Sequence, residues 1–263
     1  MKSLIFLLGI LFFINLNIGL TEMKGKQSIQ MTVVYDNNPY DESLELDWGF
    51  SCFIEGLEKS ILFDTGTKGQ ILLSNMKKLG IKPAGIDLVI LSHAHRDHTG
   101  GLDALLSQNS KIDVWLPEFF SSSFKDSIKK KGASIIEVEN FKKICEGAYT
   151  TGVIEGWIKE QSLILDTEKG LIVMTGCAHP RITKIIATAK ELLKKDIYLA
   201  LGGFHLAGFD KGEIKKIINI FRDLGVKKVG PCHCSGDEAR KLFAEEYKDD
   251  FIKIGAGKKI KVQ

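Results

Sequence analysis

The sequence predicts an α/β protein in which two mixed β-sheets pack together with helices on the outside. Three observations carry that expectation. Short apolar runs bounded by Gly, Asp or Ser read as buried strands, and stretches with apolar residues at helical spacing lie between them. The order of strands followed by a helix then recurs in the second half of the chain. The 263 residues, 44% of them hydrophobic, suffice for the large core that such a layered body needs. A formal charge of +3 leaves no excess that calls for nucleic acid, and that class of partner is set aside. The Lys129-Lys130-Lys131 and Lys258-Lys259 clusters read as solvated faces.

The chain opens on a segment unlike the rest. Lys2 precedes an almost unbroken apolar run over residues 4–14, extended by Leu16, Ile18 and Leu20. Residues 1–22 therefore read as a secretory signal peptide or N-terminal anchor, and 27–263 as the folded body. A genuine leader implies export or membrane anchorage, with any membrane association confined to that segment. A start at Met23 would instead leave the protein cytoplasmic.

In the body, strands are expected over 30–35, 51–54 and 60–63, the third ending at Asp64-Thr65-Gly66. That triplet alone would also suit an aspartic protease loop, but the protease needs a second such loop or a dimer of much smaller chains. Helical periodicity over 71–79 puts Leu72, Leu73, Met76 and Leu79 on one face, and the apolar run 88–91 is the next strand. Leu102, Leu105 and Leu106 continue as a helix. Strands over 112–116 and 134–138 flank a Ser/Lys-rich helix around 119–131. Runs at 162–166 and 171–175 are joined by Thr167-Glu168-Lys169-Gly170, a hairpin signal. Helices follow over 182–193 and 214–224, with strands at 197–201 and 226–229, and Ser235-Gly236-Asp237-Glu238 has the form of a capping box.

The chemistry sits where strands end. Leu91-Ser92-His93-Ala94-His95-Arg96-Asp97-His98-Thr99-Gly100-Gly101 opens directly from a strand. His93 and His95, two apart, project to one side of extended backbone and can share a cation. Asp97 and His98 come after the chain turns and can serve another. The remaining three of the six histidines, His179, His205 and His233, each follow a strand-like run, so none is left over for the surface. Imidazole with one carboxylate suits zinc, one or two ions, with manganese or iron as substitutes. Five cysteines are an odd count and no disulfide framework, and Cys177, Cys232 and Cys234 crowd the same region. A metal contact from Cys177 or Cys232 stays open.

The His93-x-His95-x-Asp97-His98 signature, with Leu62-Phe63-Asp64-Thr65-Gly66 upstream and spaced histidines downstream, resembles the metallo-β-lactamase fold superfamily. The string from Trp48-Gly49-Phe50-Ser51 through Gly176-Cys177-Ala178-His179-Pro180, Gly202-Gly203-Phe204-His205-Leu206 and His233-Cys234-Ser235-Gly236 resembles a narrower group within it. That group is named for 7,8-dihydropterin-6-yl-methyl-4-(β-D-ribofuranosyl)aminobenzene-5′-phosphate synthase, an enzyme of methanopterin assembly. The resemblance implies an αββα sandwich. It also implies a first metal held by His93, His95 and His179 and a second held by Asp97, His98 and His233. Asp64 would orient the imidazoles rather than ligate. The superfamily usually places a bridging Asp where this chain has His205. A neutral imidazole offers one lone pair to one metal, so His205 would either ligate one ion or hydrogen-bond substrate.

The expected function is a metal-dependent hydrolase that turns metal-activated water on an ester, thioester, lactam or phosphoester, with Asp97 and His205 as the catalytic candidates. One alternative is the synthase reaction, a transferase step joining a pterin diphosphate to an aminobenzene ribose phosphate, although a cytosolic pterin pathway sits badly with an export leader. Another is a non-catalytic zinc-binding module. Di-iron reductases of the same fold carry Glu where His95 stands, and no flavin domain follows here. The partner is a small molecule of anionic character. Arg181 could meet its charge, and Trp48, Phe50, Trp157, Phe204 and Phe209 either line its pocket or belong to the core.

Overall fold

β-Branched and aromatic runs pair into two sheets. The computed structural model describes residues 28–263, so the leader expected over 1–22 lies outside the described residues. In chain order the strands are β1 (Ile29–Tyr35), β2 (Ser51–Glu55), β3 (Ile61–Phe63), β4 (Leu88–Ile90), β5 (Asp113–Pro117), β6 (Ser134–Val138) and β7 (Lys142–Cys145). They continue with β8 (Ala148–Thr150), β9 (Leu163–Thr167), β10 (Gly170–Thr175), β11 (Ile197–Gly203), β12 (Lys228–Cys232) and β13 (Lys259–Val262). The helices are α1 (Gly69–Lys78), α2 (Arg96–Thr99), α3 (Leu102–Gln108), α4 (Ser122–Lys130), α5 (Ile182–Leu193), α6 (Lys211–Asp223) and α7 (Asp237–Tyr247).

One sheet runs β13-β1-β2-β3-β4-β5-β6 and the other β12-β11-β10-β9-β8-β7. Both are mixed. Pairs from β13 to β3 are antiparallel and those from β3 to β6 parallel. In the second sheet β7 to β10 pair antiparallel, while β10, β11 and β12 are parallel. A parallel pair needs a crossover, and the helices supply it: α1 between β3 and β4, α5 between β10 and β11, α6 between β11 and β12.

Period-two alternation then divides each strand between two cores. Leu88 and Ile90 of β4, with Ile172 and Met174 of β10, fill the space between the sheets. Val89 instead faces the layer built from Leu72 and Met76 of α1 and Leu102 and Leu105 of α3. Leu171 and Val173 face Ile182 and Ile185 of α5, Phe221 of α6 and Phe243 of α7. The result is the expected αββα sandwich. Among the described residues no helix is long and apolar enough to cross a membrane.

Some elements differ from the sequence expectation. β7, β8 and β13 were not anticipated. β7 and β13 are edge strands with solvent-facing lysines, the composition that keeps an edge from pairing with another molecule. β12 ends at Cys232 rather than at 229, and its Pro231 is tolerated because β12 is the last strand of its sheet. The capping box does not form at Ser235. Residues His233–Ser235 turn as a short 3₁₀ segment, and the Ser235 hydroxyl points inward, donating to Cys232 O at 2.6 Å and accepting from Phe204 N at 3.0 Å. The box is found instead at Asp210 and Glu213, at the start of α6.

Candidate metal centre

The parallel strands of both sheets end on one edge, and their loops meet there. Asp64 follows β3 and His93 follows β4, while His179, His205 and His233 follow β10, β11 and β12. Such loops turn sharply. Seven described non-glycine residues have positive φ, and Asp64, Ala178, Arg181, His205 and His233 are among them, all in these loops. Backbone held there costs on the order of 1–3 kcal/mol per residue and persists only where the surroundings enforce it.

The residues predicted from sequence fall into adjoining groups. His93, His95 and His179 bring ligand atoms within 4.8 Å of one another, and so do Asp97, His98, His233 and Cys177. In the first group His179 Nε2 lies 3.2 Å from His95 Nδ1. In the second, Asp97 Oδ2 is 3.1 Å from His233 Nε2 and 3.4 Å from His98 Nε2. The groups adjoin through His93 and His98, whose ring centroids are 4.3 Å apart. His205 joins neither trio. Its ligand atom groups with Cys177 and Cys234, and its ring stands 4.4 Å from that of His179.

Hydrogen bonds behind the imidazoles fix their tautomers. Asp64, fully buried, accepts from Ser92 N at 2.7 Å, from Ser92 Oγ at 2.8 Å and from His98 Nδ1 at 2.7 Å. Because the Ser92 proton goes to Asp64, Ser92 Oγ accepts from His93 Nδ1 at 2.9 Å. His233 Nδ1 donates to Asn37 Oδ1 at 3.0 Å. In all three rings Nε2 is left to the cluster, the arrangement that orients and strengthens a metal-ligating histidine.

Glu160 is the residue that sequence reasoning missed. It is fully buried, and its carboxylate accepts four backbone N–H bonds at 3.0 Å, from Gly176, Cys177, Ala178 and His179. Burial pushes its pKa up to about 7 against those donors. It shapes the loop that carries Cys177 and His179. Nothing in Lys159-Glu160-Gln161 marks that charge as buried, since its partners are backbone groups sixteen and more residues away.

The electrostatics separate the two groups. Burial, then neighbouring imidazoles, lower His93 well below the usual histidine range, and burial with His205 and His95 takes His179 down to about 3. Those rings are neutral lone-pair donors at neutral pH. Burial also opposes charge on His98, yet the Asp64 and Asp97 carboxylates beside it raise it to about 10. Asp97 is desolvated, but His233 and His98 hold its carboxyl well below the usual range. His93 Nε2 is a buried nitrogen with no hydrogen-bond partner, and two nitrogens face each other across the His95–His179 contact. A cation fits these donors, because His93 Nε2 is a buried lone pair that no protein group serves, and the nitrogens of His95 and His179 stand beside it.

Of the aromatic candidates, Phe50 and Phe204 are core. Trp48, 51% exposed, lies 4.7 Å from the His233 ring, and Trp157, 72% exposed, lies 5.2 Å from His179 and 6.0 Å from His205. They flank the cluster from opposite groups.

Comparisons with known proteins agree with this architecture. Residues 49–188 match the family model of the metallo-β-lactamase superfamily. The chain is 33% identical to the 7,8-dihydropterin-6-methyl-4-(β-D-ribofuranosyl)-aminobenzene-5′-phosphate synthase of Methanocaldococcus jannaschii, across 88% of this chain and 95% of that protein. It is 29% identical to Tm1679, a solved metal-dependent hydrolase of the β-lactamase superfamily, with a TM-score of 0.76 over 89% of this chain and 99% of that one. The metallo-β-lactamase fold protein YhfI from Bacillus subtilis shares the fold at 14% identity, with a TM-score of 0.68 over 90% of this chain and all of that one. With the imidazoles of both sheets meeting at one edge and likeness spanning nearly the whole chain, the protein belongs to the metallo-β-lactamase superfamily, as one of its enzymes.

Proposed function

We propose that the protein is a zinc-dependent hydrolase of a small anionic ester or phosphoester, with His93, His95 and His179 holding one ion and Asp97, His98 and His233 a second. The observation that carries this reading is the pair of adjoining donor groups with Nε2 of His93, His98 and His233 left free of backing bonds. When bound, zinc lowers the pKa of a water toward about 7 and draws charge from a carbonyl or phosphoryl oxygen.

The chain's own residues do the rest. Asp97 is partly exposed and anionic, and can take a hydrogen bond from an attacking water and orient it. His205, raised by its hydrogen bond with Cys234 although burial opposes the charge, can donate to an anionic group of the substrate. Trp48 and Trp157 offer flat faces to a planar ring at either side.

The synthase reading is favoured by the 33% identity to the Methanocaldococcus jannaschii enzyme. One experiment separates the two. Zinc-loaded protein is given a panel of phosphoesters, carboxylic esters, thioesters and lactams, and separately a dihydropterin diphosphate with an aminobenzene ribose phosphate. Hydrolysis of a panel member, reduced at least about 100-fold in His95→Ala, is the expected result. Formation of the C–N bonded product without competing hydrolysis would establish the transferase instead. Equal turnover in the His95→Ala protein would sink the metal reading.

A further inference from the structure

Where the superfamily carries a second anionic ligand, this chain has His205, and a zinc held by Asp97 and two neutral imidazoles would lack one negative charge. The structure supplies a replacement from another strand end. Cys177 Sγ lies 3.1 Å from His98 Nε2, and it belongs to the same ligand group as Asp97, His98 and His233. We propose that Cys177 sulfur completes the second cation position, standing in for the carboxylate that His205 displaced. This rests on reading the two donor groups as cation positions.

Three features fix the sulfur there. The Glu160 carboxylate takes the Cys177 and His179 N–H groups together, so the side chains leave one cradle two residues apart, one toward each position. Gly176 admits the loop to this depth, since a Cβ on it would run into the Ser92 hydroxyl and stand 2.9 Å from Asp64 Oδ2. Behind the sulfur, Cys234 Sγ lies 3.6 Å from Cys177 O, and His205 and Cys234 bring ligand atoms within 4.8 Å of Cys177. Cys177 is itself buried, 3% exposed, so the donors around it are protein groups.

The chemistry balances simply. On binding, the thiol proton leaves to solvent and a sulfur–metal bond forms, with no change of oxidation state. Asp97 and the thiolate then offset the dication at this position, leaving the charge of the first ion to polarise substrate. A soft sulfur donor also strengthens the preference for zinc over manganese that nitrogen and oxygen ligands already give.

The test is X-ray absorption at the zinc edge on the full chain loaded with two equivalents. The expected result is a sulfur scatterer at about 2.3 Å, half an atom per zinc on average. It should disappear in Cys177→Ser and persist in Cys234→Ser. In Cys177→Ser the second equivalent should bind at least about 100-fold more weakly, beyond the cost of losing a residue that merely orients a ligand, while the first is retained. Two equivalents bound in the wild type with only nitrogen and oxygen neighbours would overturn the proposal and leave the two-position reading intact. Sulfur that survives Cys177→Ser but not Cys234→Ser would also overturn it, placing the ion against His205. Failure to bind any cation would instead overturn the reading beneath. If Cys177→Ser fails to fold, the Cys234→Ser spectrum decides: sulfur retained there supports Cys177, and sulfur lost there overturns the proposal.

Discussion

At the scale of single residues, Asp64 shows how one buried carboxylate positions two imidazoles. It takes the proton of Ser92, which in turn takes that of His93, and it takes the Nδ1 proton of His98 directly. Asp64→Asn keeps one carbonyl oxygen and turns an amide N–H₂ toward groups that are all donors. The expected outcome is a loss of about 1–3 kcal/mol in stability, measured by denaturant unfolding of the metal-free protein. Zinc affinity, measured against a competing chelator, should fall about 10- to 100-fold. A destabilised variant with unchanged affinity would show that Asp64 merely supports the fold. Asp64 was legible in the sequence because it stands at the end of a strand-like run beside a motif it could serve. Glu160 was not, for a physical reason: a carboxylate that bonds only to distant backbone N–H groups leaves no side-chain pattern to read.

At the scale of elements, apolar runs gave away most strands and five of the helices because burial against two cores demands them. What the sequence concealed were elements whose cause lies elsewhere. β7 and β13 exist because a neighbouring strand offers an open edge, and their lysines look like loop. Ser235 matched a capping pattern, yet its hydroxyl is drawn inward by Phe204 N and Cys232 O, contacts between loops that no local pattern encodes. All six histidines were legible as strand-end residues, and a thiol contact was left open between Cys177 and Cys232, because which of them joins the second group depends on how β10 and β4 face one another. The loop at 176–179 is the element on which the centre turns, and Glu160→Gln tests it. Glutamine can accept through its oxygen but presents N–H₂ to at least one of the four N–H groups it replaces bonds to. The loop should loosen, with faster amide exchange at 176–179 than in the wild type and weaker binding of both zinc equivalents, because Cys177 and His179 share the cradle. Loss confined to one equivalent would mean that the two side chains are held independently.

At the scale of the whole molecule, the centre lies across the seam between the sheets. His93, His95, Asp97 and His98 come from the segment after β4 of one, and His179, His205 and His233 from the ends of β10, β11 and β12 of the other. A cation bound there ties the halves together, so its binding energy adds to the stability of the fold. The two positions should differ in how that gain depends on pH. His93 and His179 are already neutral at pH 7, and the first equivalent displaces no proton from them. His98 is raised to about 10 in the metal-free protein, so its pairing with Asp64 and Asp97 stabilises the fold fully below about 6.5 and is lost as pH rises through about 10. At pH 7 the second cation must therefore expel the His98 proton, and its affinity should rise about tenfold per pH unit toward 9, or more steeply if the Cys177 proton leaves too. Calorimetric titration at pH 7 in two buffers of different ionisation enthalpy measures this. The expected result is near-zero proton release for the first zinc and one to two protons for the second. Equal release in both steps would mean that His98 is not protonated beside its two carboxylates, and that the charge separation between the two positions does not exist.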